Sequence, residues 1–270
     1  MSTQQCAACG SIDTTARAIT CTAPGSSQGK TFEFIFCNSC RFVSNPSNGH
    51  DFREDGAFRA GTNLPETSMR VGDGTRPGRE FRMAEMGVDI LRRYQEDLRP
   101  DVMVFGPGMS RDHALMKERL LVSRMAVSDL SNFQSVLDFV PVTSRQAEFD
   151  LVIASEVVEH FTDLQEDFSN LLFKVRETGL LIACTNMHDG VPLEGLAYPF
   201  DVGHTSYYSG QSLQAICERL SSGIRLDFRT PAVAFRGAGP RKRYIFFYRD
   251  AELGQCIAQY FADHHVAASE

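Results

Sequence analysis

Four cysteines near the start of the chain have the spacing of metal ligands. Cys6 and Cys9 form one CxxC pair, and Cys37 and Cys40 form a second. Two such pairs can place four thiolates tetrahedrally around one Zn²⁺ ion, so the spacing predicts a zinc ribbon. Four protein ligands leave no coordination position for a substrate, so the ion would stabilise a small domain without taking part in catalysis. The alternatives are a redox role and chance pairing.

The remaining cysteines show no such pattern. Cys21 has no evident partner, and Cys184, Cys217 and Cys256 stand in apolar segments typical of buried core thiols. The first ten residues carry no basic segment followed by an apolar run, and no stretch reaches the roughly 20 apolar residues of a membrane span. We therefore expect a soluble, cytoplasmic protein whose thiols stay reduced.

A second group of residues suited to chemistry follows three predicted strands. Residues 102–112, VMVFGPGMSRD, are typical of a buried strand that breaks at glycines and enters a helix, which lets backbone N–H groups approach a charged ligand. Asp129 ends the next strand, 21 positions after Gly108, where a carboxylate can hold a ribose. Residues 149–161 form another buried strand that ends in the polar SEVVEH. Together these strand ends predict a site for a nucleoside-like ligand.

The elements that must position these residues alternate along the chain beyond Pro100. Apolar strands and amphipathic helices follow one another, which predicts a doubly wound α/β fold around a parallel sheet. The pattern includes a short apolar segment at 137–142 and a long helix through 170–177. Segments 224–230 and 243–250 have no helix between them, so they are predicted to pair as an antiparallel edge hairpin.

These elements divide into four predicted parts. Residues 1–46 form the zinc ribbon, and residues 47–99 form a connector or lid that ends in an amphipathic helix before Pro100. Residues 100–250 form the α/β domain, and residues 251–270 form a C-terminal helix. The chain of 270 residues is long enough for one large core and a small appendage. Its formal net charge of −7 disfavours binding to a phosphate backbone, so we do not expect a nucleic acid partner.

Over about residues 100–250 the glycine segment, Asp129 and SEVVEH together resemble the class I S-adenosylmethionine-dependent methyltransferases. The chain looks most like a small-molecule branch related to quinone and sugar methyltransferases, some of which carry an amino-terminal ribbon with two CxxC pairs and an NP turn, here Asn45 and Pro46. The resemblance implies a Rossmann-like, seven-stranded sheet with the last strand inserted antiparallel. It also implies S-adenosylmethionine as cofactor and a small-molecule acceptor, such as a sugar, a phenol or another metabolite.

The resemblance also implies where the cofactor binds. The methionine part would lie at the glycine turn, the ribose on the acid that ends the second strand, and the adenine on the residue after that acid. The implied cofactor-binding residues are Phe105, Gly106, Pro107, Gly108, Asp129, Leu130, Val142, Thr143, Ser155 and Glu156. As an alternative, Asp129 caps a helix that begins at SDLS.

The chain departs from the family pattern at two positions. Val104 stands where the family usually has an acid, and Ser110 stands where a third glycine is common. The usual acid helps to organise the loop and the ammonium group of the cofactor. Asp112 and Glu156 are the residues that we expect to compensate.

Two histidines are candidates for a catalytic base. His160 ends SEVVEH, and His204 lies in YPFDVGHTSYYS, which resembles the acceptor-side loop of the same branch. Either imidazole can take a proton from an attacking hydroxyl or amine, whereas the alternative for His160 is local bonding that orders the loop. A sulfonium is already an activated methyl donor, so the reaction needs alignment and exclusion of water but no metal. Four aromatic residues are predicted either to line an apolar acceptor pocket or to clamp the core: Tyr198, Phe200, Tyr207 and Tyr208.

Two other functions compete with methyl transfer. A nicotinamide-dependent oxidoreductase would use a similar sheet, but it predicts GxGxxG, and Arg111 stands at the third glycine. In the second alternative the protein is not an enzyme: the ribbon binds a partner and a degenerate domain senses the cofactor. Val104 and Ser110 favour this alternative, whereas SEVVEH and GHTSYYS favour an enzyme.

Overall fold

The computed structural model describes residues 5–50, 71–145, 148–220, 223–230 and 241–266. A six-stranded sheet lies at its centre, in the order β5-β4-β6-β7-β10-β9. Its strands are β4 (Asp101–Phe105), β5 (Arg124–Ser128), β6 (Phe149–Ser155), β7 (Val175–Asn186), β9 (Arg225–Arg229) and β10 (Lys242–Tyr248). The strands from β5 to β7 are parallel, and β10 is antiparallel to both of its neighbours. The predicted doubly wound fold and the antiparallel terminal hairpin are thereby confirmed.

Helices cover both faces of this sheet, which explains why its inner strands are apolar without alternation. The helices are α1 (Arg79–Tyr94), α2 (Asp112–Arg119), α3 (Leu164–Leu172), α4 (Gly210–Arg219) and α5 (Ala251–Val266). Apolar residues of α1, α2 and α5 form one core with the sheet, and those of α3 and α4 form a second core on the opposite face. No helix within the described ranges is long and apolar enough to cross a membrane.

Two elements differ from their prediction. The segment at 137–142 contributes one isolated bridge, between Val127 and Phe139, in place of a seventh strand. Two backbone hydrogen bonds join Val127 to Asp138 and Val140, but Leu137 is fully exposed and Pro141 has no N–H to donate, so the pairing does not extend into a strand. The predicted long helix ends at Leu172, and strand β7 begins at Val175.

The amino-terminal region forms a small antiparallel sheet that also recruits a distant part of the chain. Strands β1 (Thr14–Thr20), β2 (Thr31–Cys37) and β3 (Val43–Ser44) follow one another, and β8 (Ser206–Tyr207) pairs with β3 as the fourth strand. The ribbon is therefore joined by backbone hydrogen bonds to the loop after β7. Part of the predicted connector, residues 51–70, lies outside the described residues.

Candidate active site

The four ribbon cysteines come together as predicted. The Sγ atoms of Cys6 and Cys40 are 3.7 Å apart, and those of Cys9 and Cys37 are 3.5 Å apart. A tetrahedral zinc ion with Zn–S bonds of about 2.3 Å would separate its ligands by roughly 3.8 Å, so the four thiols fit this metal. The ligand atoms lie within 4.8 Å of one another, and three of the four cysteines are buried. The cluster could hold one structural metal ion.

The three strand ends expected to form a ligand site also meet at one edge of the sheet. In the parallel register Phe105 is paired with Ser128 on one side and with Ala154 on the other. The residues that follow, Gly106 and Asp129, therefore leave the sheet side by side. This edge is where open α/β sheets bind their ligands.

The glycine turn has a backbone that requires glycine. Gly106 and Gly108 have φ angles of +66° and +54°, in the left-handed region. A Cβ atom at Gly106 would lie 2.7 Å from Cγ2 of Val157, whereas a Cβ atom at Gly108 would meet nothing within 4 Å. The backbone at Gly106 is thus covered by a side chain, and at Gly108 it faces open space that a ligand can enter.

Asp129 is hydrogen-bonded to this turn and does not cap a helix. The Gly108 N–H donates to its Oδ2 at 2.9 Å, and the Leu130 N–H donates to its Oδ1 at 2.7 Å. No helix occurs in the described residues between β5 and β6, so the alternative role of Asp129 as a helix cap is wrong. Leu130, beside it, is 39% exposed and so has a side-chain face open to a planar ring.

Gln134 holds the glycine turn from the same side, and no sequence pattern marks this residue. Its Nε2 donates to the carbonyl oxygens of Gly108 and Ser110, each at 2.8 Å.

The next predicted contact, at Val142 and Thr143, lies in a turn. The carbonyl groups on either side of this turn accept hydrogen bonds from the buried Lys174 ammonium. Burial lowers the pKa of Lys174 to about 8.

Both residues expected to compensate for the acid absent at Val104 already make structural contacts. Asp112 is buried and accepts hydrogen bonds from the backbone N–H groups of Gly78, at 2.9 Å, and Phe81, at 3.0 Å. Glu156 has a φ angle of +55° and forms an ion pair with Lys242. The compensating role of both residues therefore stays a prediction. Ser155, before Glu156, has a buried hydroxyl with no hydrogen-bond partner in the described structure.

The two candidate histidines lie together beside the end of β6. Their ring centroids are 4.9 Å apart, Nδ1 of His160 is 2.9 Å from the Gly203 carbonyl oxygen, and Nδ1 of His204 is 2.6 Å from the Tyr198 carbonyl oxygen. Because a carbonyl can only accept, Nδ1 carries the proton and Nε2 of neutral His204 is an acceptor. Burial, and then the charge of His160, lower the pKa of His204 to about 3.

Glu159 lies beneath the histidines and was not singled out by the sequence. Its side chain is fully buried, Oε1 accepts a 2.6 Å hydrogen bond from the Tyr198 hydroxyl, and Oε2 has no partner in the described structure. One ligand atom from each of Glu159, His160 and His204 lies within 4.8 Å of the others, so this group could also hold a metal ion. Its chemistry therefore covers both proton transfer and metal binding.

Only one of the four predicted pocket aromatics lies at this site. Tyr198 is next to His204, with ring centroids 4.3 Å apart. The rings of Phe200, Tyr207 and Tyr208 are buried in the two adjoining apolar cores. Those three residues pack in the core, as in the alternative interpretation, and Tyr207 also borders a small cavity beside Tyr198 and His204.

Several known proteins are similar to this chain. The profile of a family described as a methyltransferase domain matches residues 80–220, a little over half of the chain. Among solved structures, the plantazolicin methyltransferase BpumL in complex with a pentazolic desmethylPZN analog and SAH is 12% identical, with a TM-score of 0.48 over 64% of this chain and 85% of that one. The methyltransferase domain of bacterial CtHen1 is 14% identical, with a TM-score of 0.41 over 62% and 99% of the two chains. A search of curated proteins gave no match.

Proposed function

The chain belongs to the methyltransferase-domain family of class I S-adenosylmethionine-dependent enzymes, and on this premise we propose that it methylates a small-molecule acceptor bound beside His204. The observation that carries the proposal is the contact between the Gly108 N–H and Asp129, which unites two strand ends next to open space. The donor would bind there, and the histidine pair at the end of β6 would face the acceptor.

The residues at the strand ends fit the donor. S-adenosylmethionine, when bound, supplies a methyl group on a positively charged sulfur. Asp129 offers a carboxylate for the two ribose hydroxyls, and charge-assisted hydrogen bonds of this kind are strong. The turn from Phe105 to Gly108 brings backbone close to the methionine part, and Leu130 offers an apolar face for adenine. The buried Ser155 hydroxyl, without a partner in the described residues, is a further polar group at this edge.

His204 is the stronger candidate for the acceptor side. Its lowered pKa keeps it neutral at physiological pH, and its Nδ1 proton is directed at the Tyr198 carbonyl. Nε2 can therefore accept the proton of an acceptor hydroxyl and orient its oxygen toward the methyl group. A pKa of about 3 makes His204 a weak base, so its main contribution would be orientation, and the acceptor would be a group that loses its proton readily, such as a phenol.

The test is calorimetric titration of the purified protein with S-adenosylmethionine and S-adenosylhomocysteine, followed by incubation with methyl-labelled donor and a panel of phenols and sugars. We expect both nucleosides to bind with a stoichiometry of one and label to appear in at least one acceptor class. Failure of both nucleosides to bind would contradict the proposed donor site. Binding without transfer to any small molecule would contradict the acceptor class only.

A further inference from the structure

The carboxylate missing at Val104 has a counterpart in a different part of the chain. Glu80 is the second residue of α1, and only 1% of its surface is exposed. Its Oε2 accepts a 3.0 Å hydrogen bond from the hydroxyl of Ser110, which stands in the glycine turn. Glu80 therefore contacts the turn at the position where the family's third glycine is replaced.

The packing of α1 explains why Glu80 can reach this place. Phe81, the next residue of the helix, belongs to the same apolar core as Val104. The first turn of α1 and Val104 thus belong to the core on the same face of the sheet. The family usually has an acid on the strand. In this chain the strand has Val104, and the carboxylate near the glycine turn comes from the helix.

A cation accompanies this carboxylate. Arg79 Nε donates to Glu80 Oε1 at 3.1 Å. Burial opposes the charge of Arg79, but the neighbouring Glu80 and Glu156 carboxylates outweigh it and raise the pKa of Arg79. Burial and the Glu80 charge also raise the pKa of the adjacent Asp112 to about 7. Arg79, which is partly buried, and Glu80, which is buried, thus form a pair of opposite charges at the glycine turn.

An amino acid carries the same two charges at one end. The methionine part of the donor has an ammonium and a carboxylate on one carbon, and a pair of opposite charges can complement both. We propose that Glu80, supported by Ser110, replaces the acid lost at Val104 and provides the negative charge that binds the ammonium group, with Arg79 serving the carboxylate. This inference rests on the proposed donor site and names the residues that bind the methionine end of the donor.

The experiment compares two ligands on each variant by calorimetry. S-adenosylhomocysteine carries the amino acid, whereas 5′-methylthioadenosine keeps the adenosine and the thioether but lacks both charges. For Glu80→Gln we expect Kd for S-adenosylhomocysteine to rise about tenfold or more, and Kd for 5′-methylthioadenosine to change less than about twofold. Glu85→Gln, an exposed position on the same helix, is the matched control and should bind both ligands as the wild type does.

A rescue variant tests whether the effect of Glu80→Gln comes from the lost charge. Adding Val104→Asp to Glu80→Gln places a carboxylate at the family position, and we expect it to recover most of the affinity for S-adenosylhomocysteine. Equal losses for the two ligands in Glu80→Gln would show a role in shaping the turn alone and would overturn the inference. An unchanged Kd for both would overturn it as well, whereas a wild type that binds neither ligand would overturn the donor site itself.

Discussion

The backbone N–H of Gly108 donates a 2.9 Å hydrogen bond to Oδ2 of Asp129. The two residues are 21 positions apart in sequence, and this bond joins the ends of two adjacent parallel strands. The turn that would hold the methionine part of the donor is thereby connected to the acid that would hold its ribose. A substitution at either residue is expected to affect the whole donor site.

The ribbon cysteines give the first prediction. Metal analysis of the purified protein should find one zinc ion per chain, and Cys37→Ser should release it, because three thiolates bind zinc less well than four. Cys217→Ser, at a buried thiol outside the cluster, is the control and should retain the metal. Protein that is folded and metal-free with four reduced thiols would contradict the ribbon assignment.

Loss of the metal should also destabilise the loop that carries His204. Ser209 Oγ donates to the Cys40 carbonyl at 2.6 Å, and β3 pairs with β8 only a few residues from His204. We expect chelation to increase amide hydrogen exchange in residues 204–209 while exchange in β4 stays slow, since β4 lies in the central sheet. Unchanged protection of residues 204–209 after verified metal loss would show that the ribbon does not stabilise this loop.

Sequence patterns predict some residues of the site and miss others. The strand ends around Gly108 and Asp129 were predictable because glycine and carboxylate chemistry follow each apolar strand locally. The position of Glu80 was not, because it contacts Ser110 from 30 residues away and its spacing marks it only as a residue of an amphipathic helix. The same holds for β3 and β8, whose pairing depends on tertiary packing and has no local signal.

Two elements differ from their prediction because of their tertiary surroundings. The helix expected through 170–177 ends at Leu172, and the remaining residues enter β7, where Arg176 forms salt bridges with Asp150 on β6 and Asp101 on β4. The seventh strand at 137–142 is reduced to one bridge around an exposed Leu137 and a proline. Strand propensity takes no account of such contacts between distant residues.

The lowered pKa of His204 predicts that the protein loses stability below neutral pH. Its folded-state pKa of about 3 is below its unfolded value near 6.5, so between these values the unfolded chain binds more protons and stability falls as pH decreases. The slope for one group reaches about 1.4 kcal/mol per pH unit. Denaturant unfolding of His204→Asn from pH 7 to pH 4 should show a smaller loss than the wild type. Identical slopes would mean that His204 is readily protonated in the folded state.

The raised pKa of Asp112 predicts the opposite dependence of stability on pH. Its pKa is raised to about 7, so between about 4 and 7 the folded chain binds more protons, and this group lowers stability as pH rises. In the same unfolding series Asp112→Asn should make stability rise more steeply with pH than in the wild type. The comparison uses slopes and not absolute stability, because Asn also alters the hydrogen bonds to Gly78 and Phe81. A slope equal to that of the wild type would show that Asp112 is ionised in the folded protein.

The histidine pair can be tested once an acceptor is known. At saturating donor, His204→Ala should lower kcat by about 10²-fold or less, the range expected for one group that mainly orients the acceptor, and His160→Ala should have a smaller effect. Full turnover in both variants would leave positioning by other residues as the only mechanism. Loss of turnover in wild type on removal of metal ions, with the ribbon zinc retained, would instead indicate that Glu159 and the histidines hold a metal.

The most direct test of the donor site is the affinity of Asp129→Ala for S-adenosylhomocysteine, measured by calorimetry beside Asp97→Ala, an exposed acid after α1. The account predicts that Kd rises about 10- to 100-fold for Asp129→Ala, from the loss of charge-assisted hydrogen bonds, and is unchanged for Asp97→Ala. An Asp129→Ala variant that binds S-adenosylhomocysteine as tightly as the wild type would contradict the placement of the donor at these strand ends.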